Sequence, residues 1–388
     1  MKILQISPSP PDYLGGLAHY TKFLSKYLGE NNIQVDLLCS SLAKKSTKYE
    51  KFSKNFRVIK KKCYALADND NALRMKNPIF NVLTYLLRYG KKYDIIHVHS
   101  YIYFSTIQTF FYKLFFGRKI PLILHLHGIL EGHVAQTTNK IEKVLFMFKK
   151  YFYDLTIGKI MFKKADAVFS VSKEDLLISH DVFKLNLKDK VKAFYIPNAI
   201  DPEKFKRLNN IKRKFIGYIN RLSTFSGIDL FLELIKNYNK IDDKQEFLII
   251  GKGPYLPEVK KAVENYPIVF YEMIPHDEMV NYYNKCSVIV VITRSEGLST
   301  VLLEALSCEV PGIASDVGGN PELIKNGITG YLFEKANVDQ AIKKLLDVKK
   351  NNEYEKLGKN GRKLVEDHYS WRKIVNQTIL VYKKLKNP

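Results

Sequence analysis

The amino-acid sequence predicts an α/β protein made of two doubly wound domains, each built around a parallel sheet. Three observations carry this prediction. The chain has 388 residues, which is longer than one ordinary hydrophobic core accommodates. Short apolar runs alternate with longer amphipathic stretches, as expected for successive βα units. The alternation occurs in two series of similar size, separated by the polar stretch 201–214.

The first series extends to about residue 198. Strands are expected at short apolar runs rich in β-branched residues, and helices where apolar residues recur every three or four positions. The strand candidates are Ile3–Ser7, Gln34–Cys39, Ile95–His99, Leu122–Leu126, Ala167–Val171 and Lys192–Ile196, and the helix candidates are His19–Leu28 and Ile79–Tyr89.

The second series begins after the polar stretch and repeats the pattern. Its strand candidates are Phe215–Ile219, Glu246–Ile250, Ile268–Tyr271, Ser287–Ile292 and Gly312–Ala314, with the helical pattern Gly227–Tyr238 between the first two. Hydrophobic periodicity lapses near Pro197-Asn198, and a separate helical pattern follows Tyr369. We therefore expect domains over residues 1–198 and 199–368, followed by a helical segment over 369–388.

The charge of the chain limits the class of partner. Lys and Arg outnumber Asp and Glu by 62 to 39, for a net charge of +23, and so we expect an anionic partner or surface. Residues 1–200 hold 32 basic and 15 acidic side chains, which places most of the excess in the first half. No recognised nucleic-acid-binding motif or arginine-rich stretch occurs, so we expect phosphates or anionic lipids rather than a nucleic acid.

Cysteine spacing and hydropathy indicate the compartment. Cys39, Cys63, Cys286 and Cys308 form no CxxC pair, a pattern typical of buried thiols in a reducing environment rather than of a zinc site or a disulfide framework. The sequence opens directly on a strand pattern instead of a signal peptide, and no window of about twenty apolar residues occurs. We expect a cytoplasmic protein that is peripheral at the inner face of the cell membrane.

Gly15 and Gly16 stand between the first predicted strand and the first predicted helix. Glycines at this position let a ligand approach the backbone, and the free N–H groups at a helix start attract anions. A plain βα turn has the same pattern. The GxGxxG motif with its following acidic residue is absent, so NAD is not expected.

Four histidines form two pairs, His97 with His99 and His125 with His127, and the members of each pair share one face of a strand. Imidazoles are metal ligands, but both pairs come at the carboxyl ends of strands, where α/β folds form their ligand crevice. We therefore expect site residues rather than a metal cage. His127 is the strongest candidate because it ends its strand, whereas His97 has the pattern of a core histidine.

The most specific pattern is the segment 294–304, in which Glu296 follows a predicted strand and Glu304 lies on a predicted helix. Backbone N–H groups at the helix start suit a phosphate, and two carboxylates suit hydroxyl groups; a sugar nucleotide carries both. The alternative is a helix with an acidic first turn and a solvated glutamate one face round. The backbone donors are expected at Gly297, Leu298, Ser299 and Thr300.

Arg221 follows the strand Phe215–Ile219 and precedes a helix start at Gly227. A guanidinium at a strand end beside a helix N-terminus binds a diphosphate well, because it offers several donors in one plane. In isolation, a surface arginine fits this position equally well.

These residues together resemble the retaining, family 4 group of GT-B glycosyltransferases over nearly the whole chain. The resemblance implies two Rossmann-like domains facing across a cleft, with the acceptor bound by the first and a nucleoside-diphosphate sugar by the second. It also implies that the final helix crosses back to the first domain. The motifs that carry it are Pro197-Asn198-Ala199-Ile200-Asp201, Asn220-Arg221-Leu222, Gly251-Lys252-Gly253-Pro254, the Glu296/Glu304 pair and Ser315–Glu322.

The resemblance also implies roles. Arg221 would hold the diphosphate, Glu296 the transferred sugar and Glu304 the ribose hydroxyls. The segment Gly15-Gly16 would approach the donor phosphates, and His127 would support the reacting centre. Transfer would proceed with retention, without a metal ion and without a cofactor beyond the nucleotide-sugar co-substrate, for which a UDP-sugar is the first candidate.

One position departs from the family pattern, because Ser226 stands where a lysine is expected before Gly227. Losing a cationic contact to the leaving group is an effect of about 2–4 kcal/mol if it resembles the loss of an oxyanion donor. Lys252 is a candidate replacement cation. A non-catalytic scaffold of the same architecture would also explain the serine, and a UDP-sugar epimerase is a further alternative.

Aromatic residues interleaved with lysine occur in the first half, in the runs Tyr101–Phe104, Phe110–Phe116 and Val144–Tyr153. Aromatic and cationic side chains together suit the interface of an anionic membrane. They predict a glycan acceptor carried on a lipid such as a polyprenyl phosphate. Core aromatics in a lysine-rich chain are the alternative.

Overall fold

The computed structural model describes residues 1–13, 15–41, 50–65, 78–128, 147–183 and 192–387. They form two compact units: unit 1 comprises residues 1–197 and 371–388, and unit 2 comprises residues 198–370. Each unit has its own largely parallel sheet with helices packed against it, so the predicted α/β class is confirmed. Among the described residues, no helix is long and apolar enough to span a bilayer.

The sheet of unit 1 has the strand order β10-β9-β8-β7-β1-β2-β4-β3, in which only β3 is antiparallel to its neighbour. A short hairpin, β5 with β6, lies apart from it. Strands β7 and β8 are buried at all five positions, as expected for strands covered on both faces. The strands are β1 (Lys2–Ser7), β2 (Gln34–Ser40), β3 (Glu50–Lys51), β4 (Phe56–Lys61), β5 (Cys63–Ala65), β6 (Pro78–Phe80), β7 (Ile95–His99), β8 (Leu122–Leu126), β9 (Ala167–Ser170) and β10 (Lys192–Tyr195).

Helices from both ends of the chain cover this sheet. Trp371 is buried at the start of the last helix and stacks on Tyr27 with ring centroids 5.4 Å apart. The helices are α1 (Gly16–Glu30), α2 (Leu83–Tyr89), α3 (Phe104–Phe115), a π-helical segment (Lys149–Gly158) continuous with α4 (Lys159–Lys164), α5 (Lys173–Phe183) and, after unit 2, α13 (Trp371–Lys386), with a 3₁₀ turn at Gly90–Lys92.

The predicted helix Ile79–Tyr89 is wrong at its start. Residues Pro78–Phe80 form strand β6, and the helix begins only at Leu83. Two side chains set this boundary. Asn81 Oδ1 accepts from the N–H of Thr84 at 3.0 Å, and Gln108 Oε1 accepts from the N–H of Leu83 at 3.0 Å. Both bonds satisfy amides at a helix start that have no partner inside the helix.

The sheet of unit 2 is fully parallel and has the order β13-β12-β11-β14-β15-β16. Every strand predicted for both units has a counterpart within one or two residues of its expected ends. The strands are β11 (Phe215–Ile219), β12 (Phe247–Ile250), β13 (Ile268–Tyr271), β14 (Cys286–Val291), β15 (Gly312–Ser315) and β16 (Gly330–Phe333).

The helices of unit 2 bury apolar faces against this sheet, as the periodicity of Gly227–Tyr238 predicts. All four cysteines of the chain are free thiols, and those at 39, 286 and 308 are buried. The helices are α6 (Ile228–Tyr238), α7 (Leu256–Asn265), α8 (Met279–Tyr283), α9 (Thr300–Ser307), α10 (Asn320–Leu323), α11 (Val338–Lys350) and α12 (Tyr354–His368), with a 3₁₀ turn at Thr224–Ser226.

Candidate functional site

The loops that follow the strands of unit 2 hold most of the residues predicted to bind a donor. Strand β11 lies between β12 and β14, so the direction of the strand order reverses between β11 and β14. In doubly wound folds, this reversal opens a crevice at the carboxyl ends of the strands, where ligands bind. Arg221 follows β11, Lys252 follows β12 and Glu296 follows β14. Three predicted residues therefore lie at one edge of this sheet.

Two sequence motifs fix the main chain of the loop that carries Glu296. Asn198 donates through Nδ2 to the carbonyl oxygen of Leu298 at 2.7 Å. In the segment Gly318-Gly319, the second N–H donates to the carbonyl oxygen of Gly297 at 2.7 Å. The first glycine has φ +57°, and a Cβ there would lie 1.7 Å from the carbonyl oxygen of Glu296. Glycine is required at this position because the two loops touch through their backbones.

Arg294 ties the same loop to the turn after β11, a contact that sequence analysis missed. Its guanidinium donates to both carboxylate oxygens of Asp229 at 2.7 and 2.6 Å, and also to the carbonyl oxygen of Thr224. Its own N–H donates to the carbonyl oxygen of Phe225 at 3.0 Å. A bidentate pair of this kind fixes orientation as well as distance. Arg294 is thus committed to holding the two loops together.

Glu296 is half-buried in this loop, and this burial affects its carboxyl group. Desolvation raises the pKa of Glu296 to about 7, against a smaller lowering by the hydrogen bond from the N–H of Gly297. A carboxyl group with this pKa changes charge close to neutral pH. Perturbed carboxyl groups at strand ends are frequent in functional sites.

Glu304 is buried on α9, so the alternative of a solvated glutamate is wrong. One carboxylate oxygen accepts from the hydroxyl of Tyr283 at 2.7 Å, and the other lies 2.8 Å from Nε2 of His276. An ionised carboxylate has about four acceptor positions, so both oxygens keep capacity for a further donor. Sequence analysis missed both partners: Tyr283 lies 21 positions from Glu304 in the chain, and His276 lies 28 positions away. The N-cap of α9 is Ser299, whose hydroxyl accepts from the N–H of Leu302 at 3.3 Å.

The cations of the site differ in how they are paired. The side chain of Arg221 is exposed and has no hydrogen bond or ion pair with any residue that the structure describes. Lys252 is 64% exposed, and its ammonium lies 3.4 Å from the carboxylate of Glu272. Ser226 is buried, with its hydroxyl 3.2 Å from that of Ser223. Arg221 therefore supplies the unpaired positive charge at this edge.

In unit 1, Gly15-Gly16 lies at the N-terminus of the fifteen-residue helix α1 and is exposed. Gly15 has φ +155°, and its N-cap position has no capping side chain. Among the residues that the structure describes, none beyond the chain neighbours has an atom within 4 Å of a Cβ placed at either glycine, so these residues leave the helix start open. The helix dipole and the first amides favour an anion there.

Four histidines of unit 1, called here the histidine cluster, bond to each other across strands: His97, His99, His125 and His127. His97 Nε2 lies 3.1 Å from His125 Nδ1, and His99 Nδ1 lies 2.9 Å from His127 Nε2. Nδ1 of His97 lies 2.6 Å from the hydroxyl of Tyr382 on α13. The unit 1 sheet reverses its strand order between β1 and β7, so the cluster lies beside the switch point of that sheet.

Burial keeps the histidine cluster neutral. Desolvation lowers the pKa of His97 and of His127 to about 3, and it lowers the pKa of His99 and His125 well below the usual range. Nitrogen atoms of His97, His99 and His125 lie within 4.8 Å of one another, which is a spacing that metal ligands adopt. Each of the three already shares a hydrogen bond with a neighbouring imidazole.

Two protein-family models match the chain. The model described as Glycosyltransferase Family 4 matches residues 14–204, and the model described as Glycosyl transferases group 1 matches residues 199–364. Together they cover most of each unit. The chain belongs to glycosyltransferase family 4. Its fold is that of the GT-B glycosyltransferases.

Curated relatives of this family 4 chain match it over most of its length. An uncharacterised glycosyltransferase of Methanocaldococcus jannaschii is 23% identical over 97% of this chain and 96% of its own length. The capsular polysaccharide biosynthesis glycosyltransferase CapM of Staphylococcus aureus is 28% identical over 77% of this chain and 88% of its own length.

Solved structures agree on the fold. Sucrose-phosphate synthase from Thermosynechococcus elongatus superposes with a TM-score of 0.79 at 19% identity, covering 99% of this chain and 98% of that chain. HepE of Anabaena in complex with UDP-glucose superposes with a TM-score of 0.72 at 16% identity, covering 99% and 100%. Within unit 2 of the family 4 chain, Arg221, Lys252 and Glu296 follow the carboxyl ends of neighbouring strands, whereas Gly15-Gly16 and His127 belong to unit 1.

Proposed function

We propose that this chain transfers a sugar from a nucleoside-diphosphate sugar, with a UDP-sugar as first candidate, to a glycan acceptor. The observation that carries the proposal is the β11–β14 edge of unit 2, where an unpaired arginine, a helix start and a desolvated carboxyl group follow adjacent strands. Relatives support it: HepE was crystallised with UDP-glucose, and CapM is named for capsular polysaccharide biosynthesis. Assembly of a cell-surface glycan, as polysaccharide or glycoprotein glycan, is the corresponding role.

The proposed chemistry is group transfer with retention. The bond between the anomeric carbon and the β-phosphate oxygen breaks, and the acceptor oxygen bonds to that carbon on the same face. The acceptor proton passes to the departing phosphate. Arg221 and the first amides of α9 stabilise the charge that develops on the diphosphate, so the proposal includes no metal ion.

The acidic residues handle hydroxyl groups in this scheme. Glu296 in its ionised form accepts hydrogen bonds from the transferred sugar, and Glu304 accepts from the ribose with the lone pairs that His276 and Tyr283 leave available. Lys252 is a secondary ligand of the donor, because its ammonium already has the carboxylate of Glu272 beside it.

A nucleotide panel tests the donor half of the proposal. We expect UDP and UDP-sugars to raise the thermal transition of the protein more than GDP, ADP or CDP, because a ligand of the folded state stabilises it. Mass spectrometry of UDP-sugar incubated with the protein alone then separates transfer from epimerisation, since an epimerase yields a new sugar nucleotide without any acceptor. Equal and negligible shifts with all nucleotides contradict the proposal.

Ser226 favours a second candidate, a non-catalytic scaffold of the same fold. Its short side chain is buried against Ser223, so no cation occupies the position that the family gives to lysine. A scaffold need not bind a nucleotide. The same panel therefore decides between the two candidates, and turnover of a bound UDP-sugar excludes the scaffold.

For the acceptor, we propose a glycan on a polyprenyl phosphate at the cytoplasmic face of an anionic membrane. The support is a surface of unit 1, called here the aromatic surface, on α3 and on residues 147–160. Lys159 lies on α4 beside it, and Lys163 and Lys164 are exposed one turn further on. Residues 144–146 of the third aromatic run lie outside the described residues. The large exposed side chains are Phe111, Phe115, Phe116, Met147, Phe148, Tyr151, Phe152, Leu155 and Ile160.

Vesicle sedimentation tests the aromatic surface. We expect the protein to bind phosphatidylglycerol vesicles at low salt, and the variant with Phe148, Tyr151 and Phe152 all changed to serine to bind at least about tenfold more weakly, because each buried aromatic contributes apolar area. Ile241→Ser removes an equally exposed apolar side chain from unit 2 and serves as the matched control. Equal binding by both variants contradicts a role for this surface.

A further inference from the structure

Gln5 is a buried polar residue at the switch point of the unit 1 sheet, and nothing in the proposed reaction yet uses it. It lies on β1, beside β7, and its side chain is fully buried. Its Oε1 atom lies 3.2 Å from Nε2 of His99. His99 in turn lies 2.9 Å from His127 through Nδ1 and Nε2, respectively. These three side chains form a chain of hydrogen bonds that ends at His127.

The charge state of the two imidazoles limits how their protons are arranged. Both lose the hydration that would stabilise a cation, and other histidines of the cluster add repulsion to the protonated form of His99. A neutral imidazole carries one N–H and one lone pair. Each ring can therefore donate through one nitrogen only and must accept through the other. Fixing the protonation of one nitrogen of His99 therefore fixes the protonation of all four ring nitrogens of His99 and His127.

Gln5 supplies the fixed end. An amide oxygen only accepts hydrogen bonds, so Nε2 of His99 carries the hydrogen, and Nδ1 of His99 carries the lone pair. Nε2 of His127 must then donate to that lone pair. The remaining nitrogen of His127, Nδ1, is left without a proton and can accept a hydrogen bond from a hydroxyl group.

We propose that Gln5 is a positioning residue that holds His127, through His99, in the Nε2–H tautomer. Resting on the proposed function, the inference makes His127 an acceptor for a sugar hydroxyl, not a proton donor to a leaving oxygen. A sugar that lacks the hydroxyl facing Nδ1 would leave that lone pair without a donor, so the tautomer also contributes to selection among sugars.

A second chain of bonds in the same cluster provides an internal control. Tyr382 bonds to Nδ1 of His97, and His97 bonds to Nδ1 of His125. This second series of hydrogen bonds includes neither Gln5 nor His127. The ring of Tyr20 lies edge-on to His125 and His127, with centroids 5.1 and 4.9 Å away. The two series of hydrogen bonds are adjacent in space, but no hydrogen bond connects them among the described residues.

The test is nitrogen NMR of protein labelled with ¹⁵N-histidine. Long-range ¹H–¹⁵N spectra distinguish a protonated from an unprotonated ring nitrogen, and the His127 signals are assigned by their loss in His127→Gln. We expect the Nε2–H tautomer of His127 in the wild type at pH 7.5. In Gln5→Met, which keeps side-chain volume but removes the acceptor, we expect mixed tautomers; in Tyr382→Phe, we expect the wild-type tautomer of His127.

Several results would overturn the proposal. An Nδ1–H tautomer of His127 in the wild type would show that the amide of Gln5 points the other way, and this result needs no variant to fold. An unchanged His127 spectrum in folded Gln5→Met would show that Gln5 does not set the tautomer. One zinc ion per chain by elemental analysis would also contradict it, because a metal-bound nitrogen cannot accept a hydrogen bond.

Kinetics separate this inference from the proposed function. We expect Gln5→Met to lower kcat about tenfold while leaving the KM for the donor nearly unchanged, and Tyr382→Phe to change kcat much less. If the tautomer follows Gln5 but no nucleotide binds, the proposed function fails and the tautomer assignment stands. If transfer occurs and kcat in Gln5→Met equals that of the wild type, the positioning role fails alone.

Discussion

Both units place their candidate sites where the strand order of the sheet reverses. The site residues come mainly from strands in unit 1 and from loops in unit 2. In unit 1, the cluster is largely part of the strands themselves, since His97, His99 and His125 lie on β7 and β8. In unit 2, Arg221 and Glu296 lie in loops that follow β11 and β14. Strand residues inherit the rigidity of the sheet, whereas loop residues need separate supports.

Those supports are visible in unit 2. Asn198 and Gly318-Gly319 contact the loop of Glu296 from other segments, and Arg294, within that loop, ties it to Asp229. Desolvation acts on both sites, but with opposite signs. It lowers the pKa of His97 and His127 to about 3 and raises that of Glu296 to about 7. Low pH therefore destabilises the folded state of unit 1 through its histidines, and high pH destabilises that of unit 2 through Glu296.

Lowering the pH should produce the largest difference in stability between the two units. Because the folded pKa of each histidine is depressed, the stabilisation is complete above about pH 6.5 and is lost as the pH falls toward 3. Each histidine costs about 1.4 kcal/mol per pH unit over this window. We expect unit 1 to unfold near pH 5 or below. Trp371, the single tryptophan, packs within unit 1 and reports its unfolding by fluorescence.

Glu296 predicts the opposite slope for unit 2. Its raised pKa means that the folded state binds the extra proton, so its contribution to stability is lost as the pH rises from about 4.5 to 7. Denaturant unfolding of Glu296→Gln against the wild type at pH 5 and pH 8 checks this.

For unit 1, a fluorescence midpoint for Trp371 that does not depend on pH between 7.5 and 5 would refute the account of the histidine cluster.

Removing the acid of unit 2 should cost the most activity. We expect Glu296→Ala to lower kcat/KM for sugar transfer at least about 100-fold, because a half-buried acceptor for the sugar is lost. The fold should persist, since the loop is held by other residues. Glu258→Ala, on the exposed face of α7, is the matched control and should transfer sugar like the wild type. Undiminished transfer by Glu296→Ala removes Glu296 from the site.

The unpaired guanidinium gives a smaller effect on binding. We expect Arg221→Ala to weaken UDP binding by about 10- to 100-fold in calorimetry, since hydrogen bonds to charged groups contribute about 1.5–3 kcal/mol. Arg372→Ala removes an exposed arginine from α13 with the same change in net charge. If both variants lose affinity equally, the effect is one of overall charge and Arg221 has no specific role.

The smallest expected effect is a pH profile. If the ionised form of Glu296 binds the sugar, kcat/KM should rise with pH through an apparent pKa near 7. The increase between pH 6 and 8 is about tenfold, and Glu296→Gln should flatten it. A profile whose midpoint stays near 7 in Glu296→Gln assigns the titration to another group and leaves the role of Glu296 without this support.

Sequence patterns located strands and loops far better than they located side-chain partners. The apolar runs gave the central strands because those strands are buried on both faces. Strand β4 was missed because lysine and arginine flank its Val58-Ile59 pair, and β16 because it is a four-residue edge strand that begins with Gly330. Both owe their existence to neighbouring strands rather than to their own composition.

The candidate site was predictable in part for the same reason. Glu296 and Arg221 stand at strand ends, and strand ends can be read from periodicity. The partners of Glu304 could not be read, because Tyr283 and His276 reach it only through the tertiary fold. The same is true of Asp229 for Arg294 and of Gln5 for His99, which are 65 and 94 positions apart.

The fold-back of α13 affects the order in which the protein can form. Residues 371–388 belong to unit 1, yet they follow all of unit 2 in the chain. Tyr382 reaches His97, and Trp371 covers an aromatic face of α1, only after a ribosome has already released unit 2. During synthesis, unit 2 can therefore close as a continuous segment, while the first 197 residues wait with an exposed apolar seam that chaperones are suited to shield.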